Sequence, residues 1–392
     1  MTDFLHGTEV IQIDNGIRPI ETVKSSVIGI VGTAPNADEQ AFPLNTPVLI
    51  AGNRREAAKL DTKPASWNGG LPCAVDAILS QIGALIIVVR VEFSTDDDEL
   101  AANMIGGVDE SGQYTGMQAL LAAESKLGFA PRLIICPSMS KYKAVADAMV
   151  NVAERLRAVA FADGPNTTDA EAIAYREQFD SKRLMIVDPR VIIFCPSRQM
   201  IIHRPASIYY AAIQAKVDYE SGFWHSVSNE PMSGVIDTSR SIDFANGDPN
   251  SRANLLNDRE VSTIIRQNGF RTWGNRTTSS DPKWAFMTTT RVADMINDSV
   301  QRAHLWAVDR NITKTYLEDV VEGVKAYIRE LVNLEAIIDG DAWVDPEINT
   351  QTTLAKGQVF IDFDFKEHPV AERITFRSHL NNGYLTQILP TI

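Results

Sequence analysis

No pattern on which a catalytic or cofactor site would be recognised occurs in this sequence. Its 392 residues hold no G-x-x-x-x-G-K-[ST] phosphate loop, and the stretch GIVGTAP at 29–35 does not match the G-x-G-x-x-G spacing of a dinucleotide site. The nucleophile elbow G-x-S-x-G is missing as well. The six histidines (His6, His203, His225, His304, His368, His379) are scattered, with no H-x-x-x-H pair to hold a metal. His304, beside Leu305 and Trp306, reads as a packed or capping residue. Cys73, Cys136 and Cys195 are too few and too widely spaced for a disulfide framework or a zinc site. Cys136 and Cys195 each close an apolar run before Pro-Ser and read as buried strand-end thiols, in keeping with a reducing compartment. No cofactor and no metal are expected.

Positive charge is also scarce. Lys and Arg total 37 against 50 Asp and Glu, a net charge of -13, which excludes a general nucleic-acid coat. No apolar stretch approaches the ~18 residues of a membrane span. The nearest, LIIVVRV at 85–91, has strand length and contains Arg90. The first residues carry no basic segment followed by an apolar one, so no secretory signal is expected and assembly in the cytoplasm follows.

What is present is an ordinary globular composition, 44% hydrophobic and 22% charged. At roughly 150 residues per domain the length suggests two or three domains. Apolar strand-like runs at 25–35, 48–50, 85–92, 132–137, 159–165 and 183–189 are separated by helix-like segments at 71–83, 117–128, 141–158 and 168–179. That alternation predicts an α/β domain with a mostly parallel sheet. Residues 93–118 read as a polar surface excursion with a short helical piece, and 222–276 read as irregular. The pattern then becomes α+β: a helix over 283–308, a second over 315–334 opened by Thr315 with Glu318 three residues on, and an alternating strand at 359–365. The apolar face of the second helix is Leu317, Val320, Val321, Val324, Ile328 and Leu331.

Both ends are strand-patterned but too short to bury a core. Residues 8–20 read as one extended strand, and the alternating 373–380 leads through Asn-Asn-Gly into 384–389. Such ends are completed by another copy of the chain, because a sheet edge recruits a partner strand. Val10, Ile11, Gln12 and Ile13 are the candidate donated N-terminal strand; Ile374, Phe376, Tyr384 and Ile388 are the candidate C-terminal arm contacts. The run Asp96-Asp97-Asp98-Glu99 reads as a solvated loop, since four consecutive acids do not converge on a cation. The cluster Phe270, Arg271, Trp273, Asn275 and Arg276 has two readings: a domain junction with Trp273 buried and the arginines paired in-chain, or a subunit contact carried by Arg271, Trp273 and Arg276.

Three stretches carry a family resemblance: HGTEVIQIDNGIRPIETVKSSVIGIVGTA at 6–34, MIGGVDESGQYTGMQALLAAES at 104–125, and NGFRTWGNRTTSSDP at 268–282 with AHLWAVDRNIT at 303–313. With them the chain resembles the tail sheath proteins of contractile-tailed bacteriophages, temperate myovirus type above all, and more loosely those of R-type bacteriocins. The resemblance spans nearly the whole chain and implies an architecture. Residues 1–22 would be an N-terminal strand arm, 23–276 an α/β middle domain lying outward, 277–370 an inner α+β domain facing the tail tube, and 371–392 a C-terminal strand arm. It implies hexameric rings stacked helically around the tube, with arms crossing to neighbouring subunits, and contraction by repacking without nucleotide. Tube, baseplate and tail terminator proteins would be partners, in a virion tail assembled in the host bacterial cytoplasm. Lys325 and Arg329, on the solvated face of 315–334, become tube-facing candidates. Two other readings remain: an α/β nucleotide-dependent enzyme with an unrecognised site, and a tube or baseplate component, which the α/β middle disfavours.

Overall fold

The computed structural model describes residues 19–63, 70–195 and 199–388. Its centre is an eight-stranded sheet built from β1 (Ile28–Thr33), β2 (Pro47–Ala51), β3 (Leu85–Val91), β4 (Leu133–Ile135), β5 (Val159–Asp163), β6 (Leu184–Val187), β10 (Val261–Arg266) and β11 (Phe270–Trp273). The order is β11-β10-β6-β5-β4-β1-β3-β2. Every inner pairing is parallel, and β2 and β11 pair antiparallel at the two edges. The strands are nearly continuous apolar runs because both faces are covered.

Alternation along each strand feeds two cores. Ile28, Ile30, Ile86, Val88, Leu133, Ile135, Val159 and Phe161 face α2 (Gly70–Gln81) and α7 (Ala206–Glu220). Val31, Ile87, Val89, Ile134, Ala160 and Ala162 face the other side, where α4 (Ala123–Leu127), α5 (Lys143–Leu156) and α6 (Asp169–Arg176) pack. A small antiparallel sheet, β8-β7-β9, joins β7 (Val191–Cys195), β8 (Met200–Arg204) and β9 (Val235–Thr238). Short helices α1 (Arg54–Ala57), α3 (Asp97–Ile105) and α8 (Arg252–Asp258) complete this part. The parallel α/β reading therefore holds.

Several local expectations do not. The 222–276 stretch is irregular only in part: between its loops it supplies β9, α8, β10 and β11. Ser262 and Thr263 read as loop residues, yet both are buried in a central strand whose hydroxyls are enclosed by the fold. Helix α7 left no periodic stripe, since it is buried on nearly all sides. Asp96 to Glu99 is not a loop: Asp96 caps α3, accepting from the backbone N–H of Asp98 and Glu99, and the following acids sit at the positive end of the helix dipole. The 117–128 helix starts as a 3-10 turn over Gly116–Ala122 before α4.

The second unit is built from α9 (Met287–Ala303), α10 (Lys314–Asn333), the hairpin β12 (Ile337–Val344) and β13 (Ile361–Glu367), and the short α11 (Gln351–Ala355). The 283–308 helix is interrupted, with 3-10 turns at Pro282–Trp284 and Leu305–Ala307 on either side of α9. His304 caps α9, its Nδ1 2.7 Å from the Val300 carbonyl oxygen. The cap of α10 is Thr313, which accepts from Tyr316 N–H at 3.1 Å, two residues before the expected Thr315. Val292, Met295 and Ile296 of α9 pack on Val324, Tyr327, Ile328 and Leu331 of α10. Ile20 is buried in this same core, and Thr22 hydrogen-bonds Tyr327 at 2.9 Å, so residues before β1 cross the second unit. β12 was hidden by Gly340, where a Cβ would sit 2.3 Å from the Asp364 carbonyl oxygen of β13.

Among the described residues the expected arm strands at 373–380 and 384–389 are not formed. Residues 368–381 have no regular secondary structure and Asn382–Ile388 is a 3-10 turn. An extended segment becomes a strand only when a ladder partner pairs with its N–H and C=O groups, and among the described residues no strand pairs with it.

Candidate functional site

Open parallel sheets bind ligands beyond the carboxyl ends of their strands. Here that region is filled by the chain itself. Asp163, at the end of β5, accepts from Ser207 N–H at 3.0 Å, Ser207 Oγ at 2.9 Å, Ser140 Oγ at 3.2 Å and Ser138 N–H at 3.2 Å. Ser207 lies in the first turn of α7, so the helix that covers this end of the sheet is held there by the carboxylate. Burial pushes Asp163 above the usual carboxylate range, and the Ser207 hydrogen bonds pull it partly back. Asp188, after β6, is likewise raised by burial against the Arg240 guanidinium at 2.6 Å. Burial also pushes the Cys136 thiol up, away from the thiolate a nucleophile needs. Among the described residues no group of three or more His, Cys, Asp or Glu could hold a metal ion.

The opposite end of the sheet is where the two units meet. Arg132 and Arg183 stand immediately before β4 and β6, and α9 presents Asp298 and Asp294 one turn apart. Arg183 forks onto Asp294, with Nη2 at 3.0 Å from Oδ1, and reaches Glu154 through Nε at 2.8 Å. Arg132 pairs with Asp298, which also takes Arg157 at 3.5 Å and Arg302 at 2.7 Å. Further along, Arg291 of α9 pairs with Asp218 of α7, both fully enclosed. Sequence reading missed this seam. Its signal was the repeated Arg-Leu opening of two apolar runs, RLIIC and RLMIV, facing acids spaced by four.

The hairpin of the second unit is the open part of the molecule. β12 and β13 pair antiparallel from Ile337↔Glu367 to Val344↔Ile361, and no third described strand joins them. A two-stranded sheet is marginal alone and leaves two rows of unpaired backbone groups. Phe363 and Phe365 stack on the core side, with centroids 6.4 Å apart. Between α10 and β12 runs a groove of about 340 Å³ floored by Leu317, Val321, Trp343 and Val344. Lys325 is partly exposed at the rim of this groove and pairs with the exposed Asp341 of β12 at 2.8 Å. Arg329 stays exposed, 3.9 Å from Glu322.

The remaining candidates separate by place. Arg271 donates to the backbone carbonyls of Asn229 and, at 3.2 Å, Gln267. Trp273 is half-buried, edge-on to Phe244 at 4.9 Å. Arg276 pairs with Glu372. Beyond Glu372 every described side chain is exposed: Ile374 at 70%, Phe376 at 90%, Leu380 at 99%, Tyr384 at 65%. Val10, Ile11, Gln12 and Ile13, and the side chain of Ile388, lie outside the described residues.

Models of two domain families match the chain. The phage tail sheath protein central domain covers residues 112–278 and the phage tail sheath C-terminal domain covers 279–381. A prophage major tail sheath protein of Pseudomonas aeruginosa is 42% identical over 387 residues, 98% of this chain and 99% of the relative. The tail sheath protein of Escherichia phage P2 is 37% identical over 100% of this chain and 99% of the relative. Among solved structures, the contracted sheath of an extracellular contractile injection system (PVC) aligns at TM-score 0.70 and 15% identity over 98% of this chain and 99% of the other. The contracted helical sheath of the anti-feeding prophage aligns at TM-score 0.68 and 17% identity over 96% and 100%. At those identities the two structures establish a shared fold.

Proposed function

This chain belongs to the phage tail sheath protein family, structural proteins and not enzymes, and on that premise we propose that it polymerises as stacked hexameric rings around a tail tube and contracts to drive the tube through a bacterial envelope. The observation that carries this reading is the pairing of an incomplete hairpin sheet with an exposed, alternating C-terminal segment on one subunit. Neither is satisfied alone, and each supplies what the other needs when copies meet: edge groups on β12 and β13, and an extended strand with Ile374 and Phe376 on one side. The N-terminal arm around Val10, Ile11, Gln12 and Ile13 would be donated in the same way, since residues 20–23 already lead it across the second unit.

On this reading residues 1–22 and 371–392 are the connecting arms, 23–276 the outward domain and 277–370 the domain nearest the tube, with exposed Arg329 and partly exposed Lys325 as contact candidates. Tail tube, baseplate and terminator proteins would be partners within the virion tail, and assembly would occur in the host bacterial cytoplasm. The energy of contraction is a difference in packing between two arrangements of the same subunits; a few kcal/mol for each subunit sums to a large total over a sheath. Arm strands keep the lattice connected while bodies move. No observation favours the enzyme reading: the crevice such an enzyme would use is occupied by the Asp163–Ser207 network.

The test is to purify the full chain and a variant lacking residues 373–392, and to image both by negative-stain electron microscopy. Cylinders from the full chain and dispersed, folded subunits from the variant are expected. Equal polymerisation of both would overturn the role given to the C-terminal arm.

A further inference from the structure

The exposed C-terminal segment has a sharply defined root. β13 ends at Glu367, whose buried carboxylate accepts from Thr289 Oγ1 at 3.1 Å and Lys366 Nζ at 2.9 Å. Residues 368–371 then lie along a groove of about 370 Å³ whose far wall includes Val217, Trp224 and Glu335. Glu372 follows, gripped by the body. Arg276 donates from Nε to Oε1 at 2.8 Å and from Nη2 to Oε2 at 2.6 Å, a fork gripping both carboxylate oxygens. Arg276 is itself fixed: its backbone bridges to Phe286 and its guanidinium lies over the Phe286 ring at 5.4 Å. From Arg373 onward every described side chain faces solvent.

We propose that Arg276 is the positioning residue of the C-terminal arm: its two-point grip on Glu372 sets where, and in which direction, residues 373–388 leave the subunit. The inference rests on the assembly role proposed for that arm. A single hydrogen bond would let the carboxylate swivel, whereas two parallel ones fix its plane, and the rigid fork of arginine alone supplies that geometry. Arg276 lies between the sheet domain and the second unit, so the arm is referenced to the junction of both. An arm aimed in advance finds a neighbour's sheet edge at a higher effective concentration than one swinging from Glu367. Of the two readings of the aromatic cluster, Arg276 follows the in-chain pairing.

The experiment measures the critical concentration for cylinder formation by full-length chains. Arg276→Glu and Glu372→Arg should each raise it by about tenfold. The double exchange should restore it to within about twofold, because the pair is remade with its signs reversed. Arg276→Lys should fall between, keeping charge without the fork. The melting temperature of the unassembled subunit should move little, since the pair is partly exposed. Single variants that assemble like the parent, or singles that fail without rescue by the double exchange, would overturn the proposal. A chain ending at Glu372 separates the two layers of the argument. If it still assembles, the arm reading fails and the positioning role with it; if it does not assemble while Arg276→Glu does, only the positioning role fails.

Discussion

Removing the Asp298 carboxylate would leave Arg132 buried without its counter-charge, and Arg157 and Arg302 would lose a shared partner. Breaking such an enclosed pair costs about 3–5 kcal/mol, whereas the exposed pair Lys314–Glu318 should be worth only about 0–1 kcal/mol. Urea denaturation of Asp298→Ala beside Glu318→Ala checks the contrast. The pH dependence has two signs. For Asp169, burial pushes the carboxyl up, but hydrogen bonds and charge from Arg252 and Arg240 outweigh it and hold it below the ordinary aspartate value. Its contribution to stability is therefore present above that value and fades as pH falls through the lowered one. Asp163 is raised by burial, so its charged form weighs against the fold and that penalty is relieved on acidification. Asp169→Asn should flatten the acid limb of the stability curve, measured by urea midpoint against pH. A third residue-scale expectation concerns Gly106, at φ +63, where a Cβ would lie 2.0 Å from the Thr115 carbonyl oxygen. Gly106→Ala should cost roughly 2–4 kcal/mol in the same assay.

At the scale of elements, Thr313→Ala should lower stability by about 1 kcal/mol by uncapping α10. The same helix shows how far the sequence could be read. Its apolar face from Val320 to Leu331 was legible because one side is buried and the other wet, yet its cap was misplaced by two residues because Thr313 and Thr315 both satisfy the composition rule. The parallel strands were legible as apolar runs divided by helices. α7 was not, because a helix enclosed on most sides loses its stripe, and β10 was not, because its Ser262 and Thr263 resemble turn residues. The candidate site divides the same way. The alternation of Ile374 and Phe376 was visible, but no strand is formed there among the described residues, and the grip of Arg276 on Glu372 joins residues 96 positions apart. No local pattern carries a contact of that separation.

At the scale of the molecule, two units are fastened through α9 at the amino ends of the parallel strands, Ile20 and Thr22 pack on the second unit, and Arg276 holds Glu372 at their junction. A body with such a seam is suited to moving as a piece, as the proposed contraction requires. A net charge of -13 sets free subunits against one another, so if they assemble as proposed, raising ionic strength should lower the concentration at which polymer appears, readable by light scattering. The most direct test of the whole account is electron microscopy of the purified full-length chain at high concentration. It predicts long, hollow, striated cylinders formed with no other protein and no nucleotide. Compact particles alone, at every concentration and salt, would contradict it.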